Sequence, residues 1–223
     1  MSDVSLRRIR ISRIRDINDP FELLSARAED RELRRGLRKW IDQFHQAKGL
    51  LCFSRKWDNP VLWSHYASKH RGMCLGFDVA DDFLHNIKYT RDRIPIQFVD
   101  GDPAKGLDPG FVQDLLYTKF EHWAYEDEVR AYLELDHSTV EDGSYFYPFD
   151  SAFALSEVIL GPLCELPIER VRELVHSMYE RVPVIKARLA FKWFQVVPDE
   201  RSVRAENTYW EKRGAPAPYA RSK

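Results

Sequence analysis

The chain has 223 residues, 44% of them hydrophobic and 13% aromatic, enough for a substantial core without a metal or disulfide staple. Its 34 Lys and Arg balance 35 Asp and Glu, so the net charge of −1 excludes a global basic field for nucleic acid, and such a contact would need a local patch. No run of about 18 uninterrupted apolar residues is present, and the first residues lack the apolar core of a signal peptide. Three cysteines without CxxC spacing, Cys52, Cys74 and Cys164, read as buried reduced thiols. Together these features predict a cytoplasmic protein with no membrane contact and no bound metal.

In chain order, residues 5–15 (SLRRIRISRIR) set Leu6, Ile9, Ile11 and Ile14 among five arginines, and 8–12 have the period-two pattern of a half-buried strand. The arginines read as the solvent face of an edge strand, the alternative being a phosphate-binding edge. Asn18-Asp19-Pro20-Phe21-Glu22 is a turn and cap in which Phe21 anchors the loop; in the competing reading Asp19 or Glu22 lines a pocket. Residues 26–48 form a helix carrying Leu33, Leu37, Trp40, Ile41 and Phe44 on one face. The opposite basic face of Arg31, Arg34, Arg35, Arg38 and Lys39 is solvated.

Residues 50–79 read as strand (50–53), turn closed by Asn59-Pro60, helix (61–70) and strand (73–77). Pro60 suits a first helical turn, and Gly72 the left-handed stop. On that helix Trp63, Tyr66 and His70 fall on one stripe at spacings of three and four, with His65 on a neighbouring face. The plain reading makes Trp63 and Tyr66 core residues; the functional one makes the stripe a binding surface.

Further on, 80–87 is a short helix, 88–99 is extended, and 100–110 is a loop rich in Gly, Pro and Asp. Residues 111–123 are helical and 125–134 form a strand with Val129, Ala131 and Leu133 on one face and Glu128, Arg130 and Tyr132 on the other. Strands at 144–149 and 156–160, a helix at 167–182 and one more strand within 184–197 follow. The expected architecture is therefore α+β: a single domain over 1–197, with a mostly antiparallel sheet built from strands near Ile9, Leu50, Met73, Val129 and Ile159 and flanked by helices. From 198 to 223 no apolar period is visible, and an irregular tail is expected.

The chemistry concentrates at 122–130, HWAYEDEVR. Strand alternation puts Glu126, Glu128 and Arg130 on one side, where clustered acids raise one another's pKa while Arg130 holds one ionised. The competing reading is an Arg–carboxylate pair that stabilises a strand edge. A metal-dependent hydrolase built on His65, His70, His122 and the glutamates Glu126 and Glu128 lacks a His-x-x-x-His pair, His65 and His70 being five apart. Neither Cys52 nor Cys74 has a neighbouring base in sequence.

The segments CFS, NPVLWSHYASKHRGMCLGFD, NDPFE, KFEHWAYEDEVRAYL and SEVILGP together resemble the uncharacterised bacterial family named for domain of unknown function 2971. That family supplies no activity to carry over. The Glu-x-Glu entering a strand, after a strand–helix–strand unit with aromatics, also resembles at fold level the mono-ADP-ribosyltransferases. That resemblance implies NAD as cofactor, Glu128 as the catalytic carboxylate with Glu126 beside it, Tyr66 or Trp63 stacking on nicotinamide, and Ser54 as a strand-end positioning residue. Ligand would then lie between the Trp63-Tyr66-His70 helix and Glu128, with Arg130 keeping the carboxylate ionised or meeting the pyrophosphate. Such enzymes also place an NAD-binding Arg or His on an earlier strand and helix, a part that Arg8 or Arg10 would have to take here if the site is complete. The implied targets are nucleic acid or protein, in defence or stress response. The non-enzymatic alternative is a regulatory module recognising a nucleotide or a protein partner.

Overall fold

The computed structural model describes residues 2–219. The described chain forms two compact units, one from 2–9, 56–80 and 148–219, the other from 10–55 and 81–147. Both mix helices with strands whose longer pairings are antiparallel, the α+β class expected.

In the first unit a four-stranded sheet runs in the order Val196–Pro198, Val184–Leu189, Phe153–Leu160, Met73–Val79. Phe153–Leu160 is antiparallel to Met73–Val79 and parallel to Val184–Leu189. Its run Val158-Ile159-Leu160 is apolar throughout because both faces are covered. Val158, Leu160 and Val184 pack with Val171 and Val175 of the helix Ile168–Met178. Ile159 and Ile185 point the other way, onto Trp63, Ala187 and Val196. Each such fully buried side chain contributes about 1.5–3 kcal/mol before the entropy of ordering it is subtracted.

The second unit is built on Lys48–Ser54 and Glu128–Glu134, antiparallel in a register that sets Ser54 opposite Glu128 and Cys52 opposite Arg130, with His85–Asn86 on the far edge. The helix Arg31–Ala47 opens on Asp30, whose side chain accepts a hydrogen bond from Leu33 N at 2.8 Å. Its Trp40, Ile41 and Phe44 cover Leu23 and Leu50, while Leu37 packs with Ala26, Phe111 and Leu115. Lys88–Thr90 pairs in parallel with Thr118–Phe120, which follows the helix Pro109–Leu116.

Several expectations need correction. The five strands expected in one sheet divide: Leu50 and Val129 share one sheet, Met73 and Ile159 another, and Arg8–Ile11 pairs with Tyr145–Pro148. Period-two alternation identifies a strand but carries no information about its partner. The helix expected at 61–70 is Pro60–Tyr66, and Ser68, Lys69 and His70 then take left-handed backbone at φ 47°, 55° and 68°. Backbone bonds from His70 N to Trp63 O (3.0 Å) and Gly72 N to Ala67 O (2.8 Å) hold that turn, so the stop comes well before Gly72.

The helix expected to reach 123 ends at Leu116, because Thr118, Lys119 and Phe120 are drawn into pairing with Lys88–Thr90. A 3-10 turn, Asp81–Phe83, replaces the helix expected at 80–87. Residues 184–197 hold two strands joined by an exposed loop. The tail is not irregular where described: Glu200–Glu211 is a helix capped by Asp199, which accepts from Arg201 N and Ser202 N, both at 3.0 Å. Its inward face is Glu206 and Trp210, and a carboxylate at an inward position hides the stripe from a hydropathy reading. Residues 220–223 of that expected tail lie outside the described residues. Of the cysteines expected to be buried, Cys164 is, Cys74 is half-buried and Cys52 is exposed.

Candidate functional site

The strand Glu128–Glu134 begins directly after Asp127, which adopts a left-handed conformation (φ 45°) at the end of the 3-10 turn Glu121–Glu126. This reversal brings Glu126 and Glu128 to the same ammonium: Lys119 Nζ lies 2.5 Å from Glu126 Oε2 and 3.0 Å from Glu128 Oε2. Arg130, two residues along the strand and on the same side as Glu128, donates from Nε to Glu128 Oε1 at 2.6 Å and from Nη2 to Oε2 at 3.1 Å. Its two Nη groups also donate in a fork to the two carboxylate oxygens of Glu22, at 2.5 and 2.8 Å. Arg130 is fully buried, and Glu126, Lys119, Glu128 and Glu22 are no more than 7% exposed.

Three carboxylates thus share two cations, all of them buried. Burial by itself pushes Glu128 up, but the Arg130 guanidinium and the Lys119 ammonium outweigh it and hold the carboxyl at about 2. Burial lowers Lys119, and Glu128 and Glu126 more than reverse that, so its pKa is raised. The backbone is drawn in as well, Glu128 N donating to the Tyr89 hydroxyl at 2.9 Å. Above the ammonium, the Trp123 ring stands 4.8 Å away.

Beside this cluster the same unit holds a cavity of about 240 Å³. Its buried lining is Asp19, Glu22, Thr118 and Lys119; Phe21, Phe120, Arg91 and Arg93 line its exposed part. The Asn-Asp-Pro-Phe-Glu turn explains the division. Asp19 accepts from Phe21 N through its side chain at 2.8 Å and from Glu22 N through its carbonyl at 3.1 Å. That tight turn leaves Phe21 exposed and sends Glu22 inward to Arg130. Arg93 stands over the Phe21 ring at 5.5 Å, and Phe120 stacks on His122 at 4.6 Å. Thr118 is 3% exposed, and its hydroxyl oxygen has no hydrogen-bond partner among the described residues.

Of the residues singled out from sequence, Glu126, Glu128 and Arg130 come together and Ser54 pairs opposite Glu128. Trp63, Tyr66 and His70 belong to the other unit, and they do not form one stripe. Trp63 is buried, its indole N–H donating to Trp57 O at 2.5 Å, whereas Tyr66 is 53% exposed. His70 lies past the helix end with Nε2 3.1 Å from Ser64 Oγ. Sequence reasoning missed Lys119, Thr118, Phe120, Arg91 and Arg93. A strand reading of 118–120 would have exposed the inward Lys119, but that segment sits inside an apolar helical pattern.

Among the described residues no three His, Cys, Asp or Glu side chains are grouped to hold a metal ion. Among them, too, no helix is long and apolar enough to cross a membrane. Neither the curated proteins nor the solved structures give a match to this chain. The family described as "Protein of unknown function (DUF2971)" does match, over residues 62–131, a span that holds Arg91, Arg93, Lys119, Glu126, Glu128 and Arg130, and there the resemblance read from the motifs is confirmed.

Proposed function

We propose that the protein is a nucleotide-binding module whose ligand enters the cavity beside the Glu22–Arg130–Glu128–Lys119 cluster. The observation that carries this is the lining: two exposed guanidiniums and two exposed aromatic rings surround a pocket whose buried side bears two carboxylates, the Lys119 ammonium that Glu126 and Glu128 already hold, and an unpartnered hydroxyl. Arg91 and Arg93 suit a phosphate or pyrophosphate. Phe21 or Phe120 suits a flat heterocycle. Asp19, Glu22 and Thr118 suit ribose hydroxyls, which donate to carboxylates and both donate to and accept from a threonine. At about 240 Å³ the cavity is slightly below the ~300–1,000 Å³ usual for small-molecule sites, a size for one mononucleotide end of NAD or ADP-ribose.

Charge supports the same division of labour. The carboxylates of the cluster outnumber its cations three to two, so an anion is held best at the arginines, and hydroxyls at the buried side. Calorimetry and thermal shift with NAD, ADP-ribose, AMP and ATP test the reading. Binding weakened about tenfold by Arg91→Ala is the expected result. Absence of binding by all four at millimolar concentration refutes it.

ADP-ribosyl transfer is the second reading, favoured by one observation: Glu128 is held ionised at the strand start, opposite Ser54, where it would face positive charge developing on a ribose. Both its oxygens already accept from Arg130, and one also from Lys119, so turnover requires one of those bonds to be exchanged for ligand. Mass spectrometry for ADP-ribose on protein or nucleic acid after incubation with NAD tests it. Modification abolished by Glu128→Gln while ligand binding persists is the expected outcome, and no modification under any condition sinks this reading alone.

A further inference from the structure

We propose that the loop joining Val184–Leu189 to Val196–Pro198 is a surface anchor for an anionic lipid bilayer. The two strands pair antiparallel up to Leu189 and Val196. The loop then closes on itself, Ala190 N donating to Gln195 O and Gln195 N to Trp193 O, both at 3.0 Å. Its base is tied to the same unit through Asp58, which accepts from Val196 N at its carbonyl (2.8 Å) and from Gln195 Nε2 at its carboxylate (3.1 Å). The backbone is therefore held while the side chains project: Phe191 is 95% exposed, Phe194 99% and Trp193 69%, with Leu189 half-exposed beside them.

Three aromatic rings standing in water at the end of a pinned hairpin mark an interaction surface. Charge identifies the partner. Exposed Lys192 sits among the rings and Arg188 flanks them, its guanidinium 5.6 Å from the Phe191 ring, while no acid occurs from 182 to 198. At the loop base the Asp58 carboxylate accepts from Gln195. Phe and Trp flanked by Lys and Arg is the composition that settles at the boundary between headgroups and acyl chains, the rings entering and the cations meeting anionic headgroups. A non-helical loop settles at that depth and not in the hydrocarbon, because water still reaches its backbone there.

Single-stranded nucleic acid shares the aromatic-plus-basic chemistry, but its binding sites set the rings along a basic groove that tracks the phosphates. Here they stand on a projecting tip with two cations, which favours the bilayer. The expectation of no membrane contact rested on the lack of a spanning segment, and adsorption by a hairpin does not require one.

The test is co-sedimentation of the full chain with vesicles of phosphatidylcholine alone and of phosphatidylcholine mixed with phosphatidylserine. Binding to the mixed vesicles only, weakened about fivefold by Lys192→Glu and abolished by combined Phe191→Ser, Trp193→Ser and Phe194→Ser, is the expected result. These side chains support no core, so the melting temperature of the variants should match the parent, which separates lost anchoring from lost folding. Equal sedimentation with and without phosphatidylserine overturns the proposal, as does binding that survives the triple substitution. Self-association or RNA binding that disappears in the triple variant, with no vesicle binding by the parent, overturns it in favour of a second copy or a nucleic acid.

Discussion

Each unit buries carboxylate charge, and the two units satisfy it in different ways. In the first unit Glu206, fully buried on the helix Glu200–Glu211, meets Arg172 Nε at 2.8 Å, Val184 N at 3.1 Å, Trp210 Nε1 at 2.9 Å and His176 Nε2 at 2.9 Å. One acid is surrounded by donors from two helices and a strand, and the group acts as a clamp. In the second unit three acids divide two cations, and the cluster borders a cavity. A buried charge that is saturated by neighbours explains itself as structure. An excess of one sign beside open volume is what points to a ligand.

The largest effect expected from this contrast is that of Arg130→Ala. It strands Glu22 and Glu128 without their shared cation in a site where Arg130 is fully enclosed. Breaking a buried pair in this manner costs about 3–5 kcal/mol, much of a typical total of about 5–15, so the variant should be poorly folded. A melting temperature within a degree or two of the parent would show that water reaches the cluster and would erase the contrast. Glu206→Ala should cost less, about 1.5–3 kcal/mol. The Arg172 side chain it leaves behind is 16% exposed and can recover some hydration. Chemical denaturation of the two variants side by side gives the order, and a reversed order would mean that the clamp, and not the cluster, carries the stability.

Acid titration sharpens the same comparison with a sign. Glu128 and Glu206 both have folded-state pKa values below those of an unfolded glutamate. At Glu128 burial opposes the shift but Arg130 prevails; at Glu206 burial opposes it but the His176, Val184 and Trp210 bonds prevail. A depressed carboxylate contributes stability that is fully present above its unfolded pKa of about 4.3 and lost as the pH falls through the folded value. For Glu128 the window runs from about 4.3 down to about 2, worth on the order of 3 kcal/mol across that span. Glu128→Gln should therefore lower stability at neutral pH and flatten its decline between pH 5 and 2. A variant whose stability falls with acid as steeply as the parent's would show that the Glu128 carboxylate is not the group being protonated.

The legible part of this molecule was local. Strand alternation was enough to set Glu128 and Arg130 on one side, and Asn18 to Glu22 announced a turn through Asp and Pro. What escaped was nonlocal. Lys119 is recruited by Glu126 and Glu128 only because Thr118–Phe120 pairs with Lys88–Thr90, a pairing that no period in the sequence encodes. Helix Glu200–Glu211 was hidden because its inward residue is an acid matched by Arg172 and His176 from a distant helix. His70 leaves the stripe despite its spacing from Tyr66: the helix ends at Tyr66, and a shared stripe needs a continuing helix.

The smallest effect on stability should come from Arg93→Ala, and it separates the two uses of charge within one unit. Arg93 is exposed and stands over the Phe21 ring at 5.5 Å, at the part of the cavity open to solvent. A cation–π contact at such a site is worth about 0.5–1 kcal/mol, and exposed substitutions rarely move stability by more than about 0.5 kcal/mol. The melting temperature should therefore shift by no more than a few degrees. Affinity is another matter, since a guanidinium meeting a phosphate in a partly enclosed site makes a charge-assisted contact of about 1.5–3 kcal/mol, or about tenfold to a hundredfold in dissociation constant. Arg130→Ala should remove folding, Arg93→Ala only ligand. If Arg93→Ala instead unfolds the protein, that arginine belongs to the structural network; if it leaves both stability and nucleotide affinity unchanged, the anion lies elsewhere and the cavity assignment fails.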